Sequence, residues 1–216
     1  MKSIALAVLM VAVSGCSGNN SPSSEGGGQK PASSAAAKPA EAKAIEALTG
    51  RAAFQQTYVS ARGWARDAQP YLEESQPTKD STGADGKSSV WTAGFGSASR
   101  GLAKSYTWSG SNAPDAPSRG VQGSVEDTFN AGNSSTRTFD LGFLKMDSNN
   151  AIEVAQKHGG KKLLDKTPSM PIYYRLHWDA GDNVLVWNVM YGGSGSDSKL
   201  NVMVDASTGQ FIRIQK

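Results

Sequence analysis

The segment Val184-Leu185-Val186-Trp187-Asn188-Val189-Met190-Tyr191 is apolar at almost every position. A strand of that composition belongs at the centre of a sheet, where both faces are covered. Its neighbours in sequence alternate with period two. Ile172, Tyr174, Leu176 and Trp178 share one face upstream, and Leu200, Val202 and Val204 share one downstream. Asp179 to Asn183 supplies a turn, Asp205-Ala206-Ser207-Thr208-Gly209 a hairpin loop, and Gln210 to Ile214 the strand that closes the sheet. Ahead of these strands, Asp147 or Ser148 is placed to cap a helix through about His158. Ile152 and Ala155 point inward on it, and Gly159-Gly160 ends it. Residues 147–216 therefore read as a helix followed by an antiparallel sheet, an α+β unit.

Residues 49–146 read as a first α+β unit of the same kind. Phe54, Tyr58, Ala61 and Ala65 recur at helical spacing, with Thr49 as N-cap and Gly63 as the stop. Strands are predicted at Tyr71 to Ser75, Val90 to Phe95 and Leu102 to Trp108, with weaker ones at Val121 to Phe129 and Arg137 to Leu144. With one offset, Val90-Trp91 falls on Val186-Trp187, Phe95-Gly96 on Tyr191-Gly192, and Tyr106 and Trp108 on Val202 and Val204. Internal duplication accounts for this, and so does chance, because alternating strands align easily.

The amino-terminal region has a different character. Lys2, the apolar run Ile4 to Val13, and the small residues Ser14 and Gly15 have the layout of a secretory signal ending at Cys16, the single cysteine. The run is too short for a membrane span, which needs about 20 apolar residues. Residues 16–48 have almost no large apolar side chain up to Lys43 and read as a tether. A flexible chain of about 27 residues has an r.m.s. span of about 30 Å. The Ala-rich end, Ala40 to Leu48, is compatible with partial helix after Pro39.

Three resemblances rest on residues of this chain. Val13-Ser14-Gly15-Cys16 resembles the lipobox of bacterial lipoproteins. It implies cleavage of residues 1–15, acylation of Cys16 and lipid anchoring in the cell envelope. Ser17 at the next position implies, by the sorting rule of enteric bacteria, the periplasmic face of the outer membrane. The carboxy-terminal stretch, with Leu200-Asn201-Val202-Met203-Val204-Asp205-Ala206-Ser207-Thr208-Gly209, resembles a PepSY-type module. That implies a helix packed on a small antiparallel sheet, and a mostly non-catalytic role in which some members bind extracytoplasmic proteases. The first half lacks the Val-Asp-Ala-x-Thr-Gly turn. Gly63-Trp64-Ala65-Arg66-Asp67-Ala68-Gln69-Pro70 also resembles a segment of envelope lipoproteins, a likeness that brings no activity with it.

Little in the chain points to chemistry. The net charge of +3 comes without a basic block, so a nucleic-acid partner is not expected. An acylated Cys16 leaves no thiol for catalysis, metal binding or disulfides. The two histidines, His158 and His177, stand in no HxH or HExxH pattern, and neither a metal nor a cofactor is expected. Asp85-Gly86-Lys87-Ser88 lacks the earlier glycine of a phosphate loop, and no Gly-x-Ser-x-Gly elbow occurs. Glu73 and Glu74 point to opposite faces of a strand, wrong for an acid–base pair. Asp179, Asp182 and Asn183 are explained by the turn they make. The aromatics leave two readings: core, or an exposed concave surface that holds a peptide or protein. On the second reading Tyr173, Arg175, Trp187 and Tyr191 form the binding surface. The expected function is non-catalytic binding of an extracytoplasmic protein or peptide. The alternatives are a structural role in envelope assembly and a hydrolase built around His177 with a nearby carboxylate.

Overall fold

A computed structural model describes residues 44–215. The signal segment, Cys16 and the tether up to residue 43 lie outside the described residues. The end of the predicted tether does not: residues 44–47 are not helical, and Glu46 N–H donates to the Gly110 carbonyl at 3.1 Å. The fold thus begins before the predicted boundary at residue 49.

The first elements are β1 (Leu48–Thr49), α1 (Gly50–Trp64), β2 (Gln69–Ser75), β3 (Lys87–Ser88), β4 (Val90–Ser97) and β5 (Leu102–Ser109). Then come β6 (Gly120–Gly123), β7 (Asp127–Thr128), α2 (Ser148–Ala155) and α3 (Lys161–Lys166). The chain ends with β8 (Ile172–Asp179), β9 (Val184–Tyr191), β10 (Leu200–Asp205) and β11 (Phe211–Gln215). Apart from the small β1–β3 pair, the strands form one 9-stranded antiparallel sheet. Its order is β11-β10-β9-β8-β2-β4-β5-β6, with β7 also on β5. The protein is α+β, with α1 and α2 packed on one face.

Three predicted elements differ from what forms. Val121 to Phe129 is not one strand but the short β6 and β7. Arg137 to Leu144 is not a strand. It carries a 3₁₀ turn at Leu141–Phe143, which Asp140 caps by accepting from Gly142 N–H. Gly159-Gly160 does not end the second helix. The chain passes through a π turn at Gln156–Gly160 and resumes as α3. Gly159 takes φ +111 there, and Gly160 lies so close to the Tyr191 hydroxyl that a Cβ would collide with it.

The two halves occupy matching places. Each supplies a helix and then a four-strand meander, and the meanders meet where β2 pairs with β8. Adding 96 to the β4–β5 register gives the β9–β10 register: Val90↔Ser109 becomes Val186↔Asp205, and Thr92↔Thr107 becomes Asn188↔Met203. Two tryptophans fasten the helix starts alike. Trp91 Nε1 donates to the Leu48 carbonyl at 2.9 Å, two residues before α1 begins. Trp187 Nε1 donates to the Met146 carbonyl at 3.0 Å, two residues before α2 begins. Their rings meet edge to face with centroids 6.3 Å apart. Burying each aromatic side chain contributes roughly 1.5–3 kcal/mol, and the ring pair adds about 0.5–1.5 kcal/mol.

The helix N-termini also meet. Thr49 precedes α1 but its side chain makes no cap bond. Asp147 caps α2 with a reciprocal Asn150 contact, and the same Oδ1 accepts from Arg51 N–H of α1 at 2.9 Å. Ser148 Oγ accepts from Gly50 N–H at 2.8 Å. Two positive helix ends brought together would repel, and one carboxylate between them offsets that.

Candidate functional site

Strand pairing sorts the side chains by face. On the helix-covered face one row runs Val204, Trp187, Leu176, Glu73, Ala93, Tyr106. On the opposite face the next row runs Arg213, Met203, Asn188, Arg175, Glu74, Thr92, Thr107. Among the described residues no helix packs on this second face, and a groove of about 590 Å³ lies over β8 to β11.

The four residues predicted as a binding surface do not come together. Tyr173 and Arg175 lie on the open face, Tyr173 half-buried and Arg175 exposed. Trp187 and Tyr191 are on the other face and fully buried. The reason is register. Trp187 pairs with Leu176 and Tyr191 with Ile172, so both point toward the helices, whereas Tyr173 and Arg175 pair with Met190 and Asn188. The two buried aromatics are core.

Carboxamides floor the groove instead. Asn188 Nδ2 donates to Asn201 Oδ1 at 2.9 Å and to Gln215 Oε1 at 3.0 Å, and Asn201 Nδ2 reaches the same Gln215 oxygen at 3.2 Å. This tie crosses three strands. It leaves Asn188 Oδ1 buried without a partner, in a residue only 3% exposed. His177, in the adjoining row, also has a buried Nδ1 without a partner. Desolvation and then the Arg175 charge hold its pKa down at about 4, so the imidazole is neutral at physiological pH.

The loop between β9 and β10 builds the wall. It turns through Gly195–Asp197, where Gly195 N–H lies 3.2 Å from Met190 Sδ, and it brings Ser196, Ser198 and Lys199 to the groove. Arg175 marks the other side, with Nε 3.3 Å from Glu74. Among the described residues, the lining contains two cations and no carboxylate.

Sequence reasoning missed Asn188 and Asn201. Each interrupts an apolar strand, and the pairing Asn201↔Met190 with Arg175↔Asn188 brings them to one face. A polar residue within the run Val184 to Tyr191 was the available signal. His158 lies elsewhere, its ring stacked on Phe211 with centroids 3.7 Å apart. Asp179 and Asp182 both pair with Arg213, the former at 3.3 Å. No group of metal-ligating side chains occurs among the described residues, and no helix there is long and apolar enough to cross a membrane.

No protein-family model matches the chain, and no curated protein matches it. A solved structure of a candidate lipoprotein from Clostridium difficile 630 is similar to it, with 13% identity and a TM-score of 0.48. The similarity covers 74% of this chain and 91% of that one.

Proposed function

We propose that the protein is anchored in the bacterial cell envelope by acylation of Cys16 and acts without catalysis, holding a peptide or a peptide segment of a protein partner on the open face of its sheet. The lipobox-like segment Val13 to Cys16 supports the anchor, and Ser17 supports the periplasmic face of the outer membrane. The observation that carries the binding reading is the groove over β8 to β11, whose floor holds a buried, unpartnered Asn188 oxygen. Buried polar atoms are almost always hydrogen-bonded, and one left unpaired beside an open cavity fits a site completed by a ligand.

We also infer that the two halves are copies of one helix-plus-meander unit. The shared register offset and the matching tryptophan-to-helix bonds support this beyond the alternation that first suggested it.

A photo-crosslinking residue at Tyr173 of the full-length chain, in intact envelope, tests the binding reading. It should yield a discrete adduct that disappears with Asn188→Leu, while the same probe at Val59, 73% exposed on α1, yields none. No adduct at Tyr173, or equal labelling at both positions, would refute it.

A further inference from the structure

Resting on the binding reading, the geometry points to a peptide carrying a free C-terminal carboxylate as the ligand of the groove, its last backbone N–H donating to Asn188 Oδ1 and its carboxylate meeting Lys199 and Arg175. Three observations converge on this. The floor supplies no donor to Asn188 Oδ1, which can only accept, since both Asn188 amide hydrogens are spent on Asn201 and Gln215. The rim lacks an anion. Lys199 is exposed and makes no ion pair among the described residues, and Arg175 engages Glu74 through Nε, leaving its terminal nitrogens without hydrogen bonds. The remaining lining is uncharged: His177 is neutral, and Ser196, Ser198, Asn201 and Gln215 both donate and accept.

A ligand that satisfies the site therefore brings an N–H or O–H donor for the floor and a negative group for the rim. Fully ionised anions supply no donor. A peptide C-terminus supplies both, because its carboxylate follows directly on an amide N–H. The same amide plane can continue along the carboxamides of Asn201 and Gln215. Recognition of this kind uses a few fixed polar groups rather than apolar area, and such hydrogen bonds to charged groups are the stronger sort.

Titration calorimetry of the full-length chain provides the test, with N-acetyl-Ala-Ala bearing a free carboxylate, the same peptide amidated, and galacturonate as a sugar acid with hydroxyl donors. The free-carboxylate peptide should bind at least tenfold more tightly than the amidated one. Lys199→Ala should weaken it about fivefold without weakening the amidated peptide by that factor, whereas Asn188→Leu should weaken both peptides at least tenfold, because both keep the last backbone N–H. Heat denaturation of both variants keeps a folding defect separate from a binding one. Equal affinity for the two peptides, with loss of both in Asn188→Leu, would overturn the carboxylate assignment and leave the groove as the peptide site. Preference for galacturonate would overturn the peptide assignment. Failure of the free-carboxylate peptide to bind would overturn the inference as well, and if the Tyr173 probe also captured nothing, the binding reading would fall with it.

Discussion

Glu73 offers the sharpest test of the fold. It lies in the covered row between Leu176 and Ala93, is 0% exposed, and neither carboxyl oxygen has a hydrogen-bond partner. Desolvation, and then the charge of Asp147, push its pKa well above the ordinary 4.5, so the native protein carries it as a neutral acid. In the unfolded chain it ionises normally. The folded state therefore binds the extra proton, and stability is lost as pH rises above the unfolded value. The fall is at most roughly 1.4 kcal/mol per pH unit, and it continues until the pH reaches the raised native value. His177 works in the opposite direction. Its native pKa is depressed to about 4 from 6.5, so the unfolded chain binds more protons there, and stability rises by about 1.5 kcal/mol between about pH 5 and pH 6.5. In the unaltered protein these two slopes oppose each other. Glu73→Gln should expose the rise, and His177→Asn the fall. Urea unfolding of each protein at several pH values reads the slopes directly. Absolute levels are a poorer guide, because a buried amide carries its own pH-independent cost. Glu73→Gln and unaltered profiles that run parallel within about 0.5 kcal/mol would refute a neutral, buried Glu73.

Four other substitutions have defined outcomes, three from the structure and one, at Cys16, from the sequence. Asp147→Ala removes the acceptor shared by Ser148 N–H and Arg51 N–H at two helix ends, and should cost about 2 kcal/mol, seen as a lower Tm, with Asp147→Asn milder. Gly209→Ala should cost about 1–2 kcal/mol, since Gly209 sits at φ +74 with Met146 Cε 2.8 Å from where a Cβ would stand; Gly63→Ala, inside α1 with open space around it, should instead stabilise by about 0.5–1 kcal/mol in the same melts. Cys16→Ser should shift the protein from the membrane fraction to the soluble fraction with an unchanged melt, and a variant that stays in the membrane would contradict the anchor.

Period-two alternation marked the strands well, because it reports directly on burial: Ile172, Tyr174 and Leu176 are fully buried, as are Val202 and Val204. The Asp205 to Gly209 turn was legible for a local reason. Asp205 Oδ1 accepts from Ser207 and Thr208 N–H, and Gly209 takes the left-handed conformation that closes the loop. Long-range facts were not legible. Whether Trp187 faces the helices or the groove depends on which residue of β8 lies opposite, and the run Val184 to Tyr191 looks apolar from both sides. The edge-to-edge meeting of β2 and β8 is likewise a pairing across about a hundred residues that no local pattern encodes. Glu73 was read as one of two strand carboxylates, and its burial became visible only once the second meander closed over that flank.

The matching halves show why a groove exists on one side alone. Shifting back by 96 places Asn188 on Thr92, Met190 on Gly94 and Asn201 on Ser105. In the first half the corresponding surface satisfies itself. The hydroxyls of Thr92 and Thr107 bond each other at 2.8 Å, and the ring of Tyr71 lies over Gly94 so closely that no Cβ would fit. Only residues 98–101 connect β4 to β5, too few to rise over the sheet. In the second half, residues 192–199 form the longer connection that walls the groove, and an amide replaces the threonine. An unpaired buried carbonyl costs about 1–3 kcal/mol. Where the first half closes its surface with a tyrosine ring and a hydroxyl pair, the second keeps a buried, unpartnered acceptor beside two cations. The backbone N–H of a bound peptide would relieve that cost, and the ring over Gly94 denies it an equivalent place in the first half.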